Sequence, residues 1–184
     1  LMWREMLLMA LRTGMRLGEL CGLEWRDIDL QRKIVTVQRS LVRGVLGTTK
    51  SNKIRHIPLS EDLCKSLYER RYEHGAVFRR PDGRPIVDWV AGCGIRRACT
   101  QAGIRQVTWH TLRHTFASQL VTEGVPINVV QTLLGHSTVV MTMKYTHLAP
   151  SALYEAVSVL EKAEKREVAK ECHHRVTTES LLLQ

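Results

Sequence analysis

The sequence predicts a mainly α fold with a small antiparallel β-sheet, which places the chain in the α+β class. Apolar residues recur at helical spacing near the start of the chain and through most of its second half. Between these parts, residues 33–59 are rich in β-branched side chains and are interrupted by Gly44, Gly47 and Ser51-Asn52. At 184 residues the chain is long enough to bury one sizeable core, so we expect one domain with appendages.

The start of the chain predicts two helices, over residues 2–12 and 17–25. Their apolar side chains recur every three or four residues, which is the spacing of one buried helix face. Thr13-Gly14 separates them, because glycine readily adopts the backbone conformations of a turn. We therefore expect a helical hairpin before the sheet begins.

Residues 33–59 predict about three short antiparallel strands joined by hairpins. β-branched residues favour extended backbone, and the intervening Gly, Ser and Asn residues are typical of tight turns. A small sheet therefore interrupts a chain that is otherwise helical.

The second half of the chain predicts a series of helices. Ser60 is a suitable N-cap for the first of them, and the loop Pro81–Pro85 precedes the second. Pro126 and Gly135 are the residues that commonly open and close a helix. The predicted helices cover residues 61–73, 88–102, 110–123, 126–134 and 138–146.

The end of the chain has a different composition. Acidic and basic residues alternate around an apolar stripe in residues 152–171, which predicts a solvated amphipathic helix. Residues 172–184 lack enough pattern to fold alone, so we expect a flexible tail. Because the first residue already lies in a helical pattern, we also expect that an upstream portion of the protein is missing.

The net charge of the chain is +9, from 27 Lys and Arg residues against 18 Asp and Glu residues. The excess lies in residues 1–151, which carry +10, whereas residues 152–184 carry −1. A basic body favours polyanionic partners such as nucleic acid or an anionic membrane.

Two classes of protein fit the sequence poorly. No run of eighteen apolar residues occurs, and Arg4 and Glu5 interrupt the first helix, which predicts neither a membrane-spanning helix nor a signal peptide. The five cysteines are odd in number and form no C-x-x-C pair, which argues against a disulfide framework or a cysteine-rich zinc site. We expect a cytoplasmic protein.

Four segments place basic or hydrogen-bonding side chains where loops meet helices: TGMRLGEL, TKSNKIRHIPL, WHTLRHTFAS and LLGHSTVVMTMKYTHL. His110 and Arg113 are three residues apart, so they share a helix face and could converge on one small anion. Two guanidiniums can bind the non-bridging oxygens of a phosphate bidentately, so this inventory suits phosphoryl transfer. The candidate site residues are Arg16, Lys50, His110, Arg113, His136 and Tyr145.

These four segments resemble, in order and spacing, the signature motifs of the tyrosine recombinase, or phage integrase, family. The resemblance runs from residue 13 to residue 148 and is highly specific for the motifs taken jointly. It implies the fold of a tyrosine recombinase catalytic domain, here residues 1–171. It also implies a site-specific recombinase or integrase that needs no metal, ATP or other cofactor.

The resemblance assigns a role to each candidate residue. Arg16 and Arg113 would clamp the scissile phosphate, and Tyr145 would attack it to form a 3′-phosphotyrosyl link with a free 5′-hydroxyl. Lys50 would protonate the departing 5′ oxygen. Lys53 is the rival for that role, and Lys50 is preferred because of its offset ahead of R-x-I-P-L.

The resemblance also assigns roles to the histidines and to one acid. His110 would contact the phosphate or take the tyrosine proton, and His136 would hydrogen-bond a non-bridging oxygen. Glu19 would orient Arg16 through a salt bridge, unless it is a solvated acid on the helix surface. His114 and His147 are neighbours in the motifs to which no catalytic role is given, and His56, His74, His173 and His174 are expected at the surface or in packing.

Three alternatives stay open from the residues. His110 and His114 could share a zinc ion, but position 111 is Thr where a zinc protease has its catalytic Glu. The basic charge and short helices could belong to a non-catalytic DNA-binding regulator. A type IB topoisomerase-like enzyme would use the same tyrosine chemistry to relax DNA without exchanging partners.

The resemblance further implies how the protein assembles. Its partner would be a double-stranded DNA recombination site, on which four copies form a tetramer, and without DNA we expect a monomer or weak oligomer. Helix 152–171 would pack either in cis or on a neighbouring subunit. The amino-terminal DNA-binding domain that is usual in the family is not visible ahead of Leu1.

Overall fold

A computed structural model describes residues 2–50, 53–69 and 74–148 of the chain. In this part the protein is mainly helical and contains two small antiparallel sheets, which confirms the predicted fold class. The predicted helix 152–171 and tail 172–184 lie outside the described residues. Among the described residues, no helix is both long and apolar enough to cross a membrane.

The first two helices form as predicted, but the second is shorter than expected. Helix α1 covers Met2–Thr13, and α2 covers Leu17–Cys21 instead of residues 17–25. The reason is tertiary: after Gly22 the backbone extends and pairs with a distant segment, so that the Leu23 carbonyl accepts a hydrogen bond from Val77 at 2.9 Å. A short 3-10 helix, Trp25–Asp27, follows.

The predicted sheet consists of more strands than expected, divided between two sheets. Strands β1, β2 and β5 form one antiparallel sheet in the order β1-β2-β5, and β3 and β4 form a separate hairpin across Arg43-Gly44. In the larger sheet, Val35 is paired with Ile57, and both side chains are buried. The strands are β1 Ile28–Asp29, β2 Ile34–Val37, β3 Arg39–Val42, β4 Val45–Thr48 and β5 Arg55–Pro58.

Five α-helices follow the sheets within residues 53–69 and 74–148. They are α3 Glu61–Tyr68, α4 Asp88–Gln101, α5 Trp109–Thr122, α6 Ile127–Leu134 and α7 Val140–Met143, with a 3-10 helix at Thr146–Leu148. Helix α6 begins after Pro126 and ends at Gly135, as predicted. The predicted helix 138–146 is shorter, because the Tyr145 N–H bonds three residues back to Thr142, at 3.0 Å, and the chain continues as 3-10 turns.

Helix α1 lies at the centre of the packing and contacts both α3 and α5. Its Met6 and Met9 side chains are fully buried, as their helical spacing predicts. Helix α5 is joined to α4 where the Trp109 indole N–H donates to the Ala91 carbonyl at 2.9 Å. This packing holds the start of α5 beside the turn between α1 and α2. Other fully buried core residues are Leu20, Leu63, Leu67, Phe78, Ile86 and Leu134.

Candidate active site

The turn between α1 and α2 places Gly14 against α5. Gly14 has a φ of +62°, and a Cβ there would lie 2.4 Å from Cδ1 of the Phe116 ring. Only glycine fits both the left-handed backbone and the close approach. The Gly14 carbonyl accepts a hydrogen bond from Nη1 of Arg113 at 2.6 Å, so this turn fixes the guanidinium that α5 presents.

Glu19 is the acid at the centre of the site, with only 1 % of its surface exposed. Its carboxylate accepts hydrogen bonds from Nη1 and Nη2 of Arg55, at 3.0 and 2.7 Å, and from Nη1 of Arg16, at 3.0 Å. Burial alone would raise the pKa of Glu19, but hydrogen bonding and the charge of Arg55, aided by Arg16, hold this pKa below its ordinary value. The expected salt bridge to Arg16 is present, and the surface interpretation of Glu19 is wrong.

Arg113 lies on α5 and is 4 % exposed. Its Nη2 donates to the Leu134 carbonyl at 2.7 Å, in addition to the Gly14 contact of Nη1. Burial, followed by the charge of Arg16, lowers the pKa of Arg113 to about 9. The guanidinium therefore remains a cation at pH 7.

At the carboxyl end of α6, the last two carbonyls of the helix and the carbonyl of the following Gly135 each accept a hydrogen bond from one arginine. Arg55 Nε donates to Leu133 at 2.9 Å, Arg113 Nη2 to Leu134 at 2.7 Å, and Arg16 Nη2 to Gly135 at 3.4 Å. The carboxyl end of a helix has unpaired carbonyls and a partial negative charge. A guanidinium there donates hydrogen bonds to the carbonyls and is attracted by the charge. A Cβ on Gly135, which has a φ of +64°, would lie 3.0 Å from Cδ of Arg55. Glycine therefore lets the arginines approach this helix end.

Four of the six candidate residues line one cavity of about 440 Å³, together with Leu17, Thr108 and Trp109: they are Arg16, Lys50, His110 and Arg113. They come from the α1–α2 turn, the segment between β4 and β5, and α5, so the fold brings together residues nearly one hundred positions apart in the sequence. Burial, followed by the charges of Lys144, Arg113 and Arg16, lowers the pKa of His110. The cavity therefore joins the guanidiniums of Arg16 and Arg113 to an imidazole whose pKa lies below its ordinary value.

Lys53, the rival of Lys50, lines a different cavity of about 310 Å³. His136 lies on the wall of this second cavity, beside Arg55 and the end of α6. The structure therefore separates the two lysines.

His136 follows the end of α6 and is half-buried. Its Nδ1 lies 2.8 Å from the Thr142 hydroxyl, which fixes the orientation of the ring. Burial lowers the pKa of His136 to about 4, and the neighbouring cations, Arg113 and Arg16 foremost, act in the same direction. The imidazole is therefore neutral at pH 7 and can form hydrogen bonds without adding charge.

Tyr145 lies between α7 and the final 3-10 helix, with 6 % of its surface exposed. Its hydroxyl forms a hydrogen bond with Nδ1 of His114, and Nζ of Lys144 lies 5.3 Å from the ring centroid. Burial raises the pKa of Tyr145, and the charge of Arg113 opposes this effect. Tyr145 is therefore a protonated phenol at pH 7, and its hydroxyl is hydrogen-bonded to the His114 imidazole.

His110 and His114 form an edge-to-face pair with ring centroids 4.3 Å apart. A zinc ion shared by these residues would need further ligands, and within residues 2–50, 53–69 and 74–148 no three His, Cys, Asp or Glu side chains form a group that could hold a metal ion. The donor set of the described residues therefore suits anion binding better than metal binding.

The sequence analysis missed two contributors to the site. Arg55 was used only to locate the lysine, although it forms the bidentate ion pair with Glu19. His114 received no catalytic role, although it contacts the Tyr145 hydroxyl. Arg55 belongs to the R-x-I-P-L sequence and His114 directly follows H-x-x-R, so both motifs contained the signal.

Known proteins resemble this chain along most of its length. Residues 2–152 match the model of the phage integrase family. The integrase of Salmonella phage P22 is 35 % identical over 158 residues, which cover 79 % of this chain and 39 % of that protein. The chain spans at most about half the length of the curated relatives it matches.

Two solved structures extend the comparison. The catalytic domain of bacteriophage HP1 integrase is 31 % identical, with a TM-score of 0.64, over 84 % of this chain and 79 % of that one. The XerH site-specific recombinase bound to palindromic difH substrate is 25 % identical, with a TM-score of 0.65, over 86 % of this chain and 46 % of that one. With the family match over residues 2–152, these findings show that the chain belongs to the phage integrase family of tyrosine recombinases.

Proposed function

We propose that this chain is the catalytic domain, residues 1–171, of a site-specific DNA recombinase that cleaves and rejoins strands through a 3′-phosphotyrosyl intermediate. The observation that carries the proposal is the single cavity lined by Arg16, Lys50, His110 and Arg113. Two guanidiniums, an amine and an imidazole in one cavity match the charge and proton transfers of a phosphodiester exchange.

Arg16 and Arg113 bind the non-bridging oxygens of the scissile phosphate in this proposal. Glu19 fixes Arg16, and two main-chain carbonyls fix Arg113, so neither guanidinium has to reorganise as charge develops. Donors held in place in this way contribute about 3–4 kcal/mol each to stabilisation of a transition state. His136 is neutral and oriented by Thr142. It lines the second cavity, so its proposed hydrogen bond to a non-bridging oxygen of the phosphate rests on its motif and not on a shared cavity.

Tyr145 is the nucleophile. Its oxygen forms a bond to phosphorus, the bond from phosphorus to the 5′ oxygen breaks, and Lys50 supplies the proton that the 5′ oxygen takes up. The position of Lys50 on the wall of the arginine cavity supports this assignment over Lys53. The energy of the phosphodiester is retained in the phosphotyrosyl bond, so rejoining needs no ATP, and no step uses a metal.

The partner in this proposal is a double-stranded DNA recombination site. The excess of positive charge in residues 1–151 supports a polyanionic partner, and XerH, a structural neighbour, was solved bound to its difH substrate. Exchange between two duplexes needs four nucleophiles, so we propose a tetramer on DNA. The protein then works in the cytoplasm, at the nucleoid.

The test is the formation of a covalent protein–DNA adduct. The full-length protein is incubated in EDTA with a nicked suicide substrate that carries its attachment sequence, and products are separated under denaturing conditions. We expect an adduct that forms in the presence of chelator and is absent in Tyr145→Phe. Binding without an adduct would favour the regulator, and an adduct with relaxation of supercoils but no joining of two duplexes would favour the topoisomerase-like enzyme.

A further inference from the structure

The contact between Tyr145 and His114 has no place in the proposed function so far. The tyrosine hydroxyl and Nδ1 of His114 form a hydrogen bond, and the two ring centroids are 5.6 Å apart. The two residues are 31 positions apart and lie on different elements, α5 and the turn after α7, so the contact depends on the tertiary fold. The phenol oxygen is the atom that must lose a proton when it attacks phosphorus.

We propose that His114 is the group that accepts this proton, an inference that rests on the proposed function. As the bond between the Tyr145 oxygen and phosphorus forms, the phenol O–H bond breaks and its proton moves to Nδ1 of His114. The bond between phosphorus and the 5′ oxygen breaks, and the proton for that oxygen comes from Lys50. On rejoining, the incoming 5′-hydroxyl gives its proton to Lys50 as its oxygen bonds to phosphorus. The bond from phosphorus to the Tyr145 oxygen breaks, and His114 returns its proton to the departing phenol, so that the enzyme is regenerated.

The surroundings of His114 favour the neutral imidazole that this role requires. Burial lowers the pKa of His114, and the groups that face it, His110, Lys144 and Arg113, act in the same direction. A neutral imidazole with an unprotonated Nδ1 accepts the phenol proton of the hydrogen bond. The phenol holds its proton in the resting state, because burial raises the pKa of Tyr145. Transfer therefore accompanies attack instead of preceding it.

His110, which the sequence analysis left as a candidate for the same role, lies elsewhere in the site. It is on the wall of the cavity with Arg16, Lys50 and Arg113, and it touches His114 through the edge-to-face ring contact. The hydrogen bond to the Tyr145 hydroxyl is made by His114. The geometry therefore leaves His110 to contact the phosphate and gives the tyrosine proton to His114.

The test compares two substrates and two variants of the full-length protein. One suicide substrate has an ordinary phosphodiester, and the other has sulfur in place of the bridging 5′ oxygen. A thiolate leaves without being protonated, so the second substrate removes the need for a general acid but not for a base. We expect Lys50→Ala to lose adduct formation on the first substrate and to recover it on the second. We expect His114→Ala to lose about 100-fold in rate on both.

Two further variants separate proton transfer from packing. His114→Asn keeps a hydrogen-bond acceptor near the position of Nδ1 but is not a base, so it should stay as slow as His114→Ala. His56→Ala is the matched control, because His56 also has a hydroxyl against Nδ1, that of Thr36 at 3.1 Å, but is exposed on β5. It should form adduct at the wild-type rate.

Several results would overturn the inference. Wild-type rates in His114→Asn would show that His114 only positions the phenol. Faster adduct formation in His114→Ala would show that the contact restrains the nucleophile. Recovery of His114→Ala on the sulfur substrate would show that His114 acts on the leaving oxygen.

A DNA-free measurement separates this inference from the proposed function. The pKa of His114, followed by NMR, should be higher in Tyr145→Phe than in the wild type, because the phenol hydrogen bond favours the unprotonated Nδ1. An unchanged pKa removes the inference alone. Failure of the wild type to form any adduct removes the proposed function and, with it, the role of His114.

Discussion

The basic side chains of the candidate active site lie in two environments. Arg113 is 4 % exposed and donates to two main-chain carbonyls, and Arg55 is 7 % exposed and forms a bidentate pair with Glu19. Lys50 and His110 are exposed, although they share a cavity with Arg113. Removing a buried cation or its acid leaves buried groups without partners, whereas an exposed side chain can be removed without this penalty. Substitutions in the buried group should therefore change stability and activity together, and those in the exposed group activity alone.

The largest effect is expected for the acid of the buried group. Glu19→Ala leaves Arg55 and Arg16 without their carboxylate, and loss of one partner from a buried ion pair costs about 3–5 kcal/mol in the free energy of unfolding. Urea denaturation followed by circular dichroism measures this change.

The control for Glu19 is an exposed ion pair. Glu61 pairs with Lys33, and its side chain is 67 % exposed, so Glu61→Gln should leave the free energy of unfolding close to the wild-type value. Equal losses in the two variants would contradict the division into buried and exposed groups.

Lys50 tests whether a residue of the exposed group affects activity without affecting stability. Lys50→Ala should slow adduct formation on an ordinary phosphodiester by about 10²–10⁴-fold, because the leaving oxygen loses its proton donor. The urea midpoint should stay at the wild-type value. Lys53→Ala is the matched variant three residues away, on the wall of the other cavity, and should be much less affected. The reverse order of rates would transfer the role of general acid to Lys53.

A glycine substitution tests the buried group without changing any charge. Gly14→Ala places a Cβ 2.4 Å from the Phe116 ring, and overpacking of this kind costs about 1–3 kcal/mol in the free energy of unfolding. Gly103→Ala is the control, since its φ of +65° is similar but a Cβ there meets nothing within 4 Å. The difference between the two urea midpoints isolates the steric contact from backbone strain. No difference would show that α5 moves freely away from Gly14.

The smallest effect on stability is expected for His136, whose burial is intermediate between that of the buried group and that of the exposed group. Its pKa falls from 6.5 to about 4 on folding, so below pH 6.5 the unfolded chain takes up a proton that the folded chain does not. Stability contributed by the neutral ring is therefore complete above pH 6.5 and declines as the pH falls toward 4. His136→Asn should flatten the dependence of the urea midpoint on pH in this window. An unchanged slope would show that the decline comes from other groups.

The sequence predicted those helix ends that are set by neighbouring residues in the chain. Helix α6 begins after Pro126 and ends at Gly135 because these residues set the backbone by themselves. The end of α2 could not be predicted, because it depends on pairing between Leu23 and Val77. Likewise, the hairpin β3–β4 forms a separate sheet, and no local pattern within residues 33–59 marks this division.

The candidate site shows the same limit. Three of the four motifs located Arg16, Lys50, His110 and Arg113, which the fold brings to one cavity. The candidates of the fourth motif, His136 and Tyr145, do not line it. The contacts of Arg55 with Glu19 and of His114 with Tyr145 span 36 and 31 residues, so no local spacing announces them. The sequence therefore predicted the residues that share the cavity, but it did not predict the hydrogen bonds that position them.

The carboxyl end of α6 also bears on the order in which this protein becomes competent. Its last two carbonyls and that of the following Gly135 accept hydrogen bonds from Arg55, Arg113 and Arg16, so one helix end binds side chains from three earlier parts of the chain. A nascent chain lacks these acceptors until residue 135 has been synthesised, and the arginines cannot adopt their final arrangement before then. The anion-binding centre therefore forms late in folding, and a partly synthesised chain contains the three arginines without the carbonyls that position them.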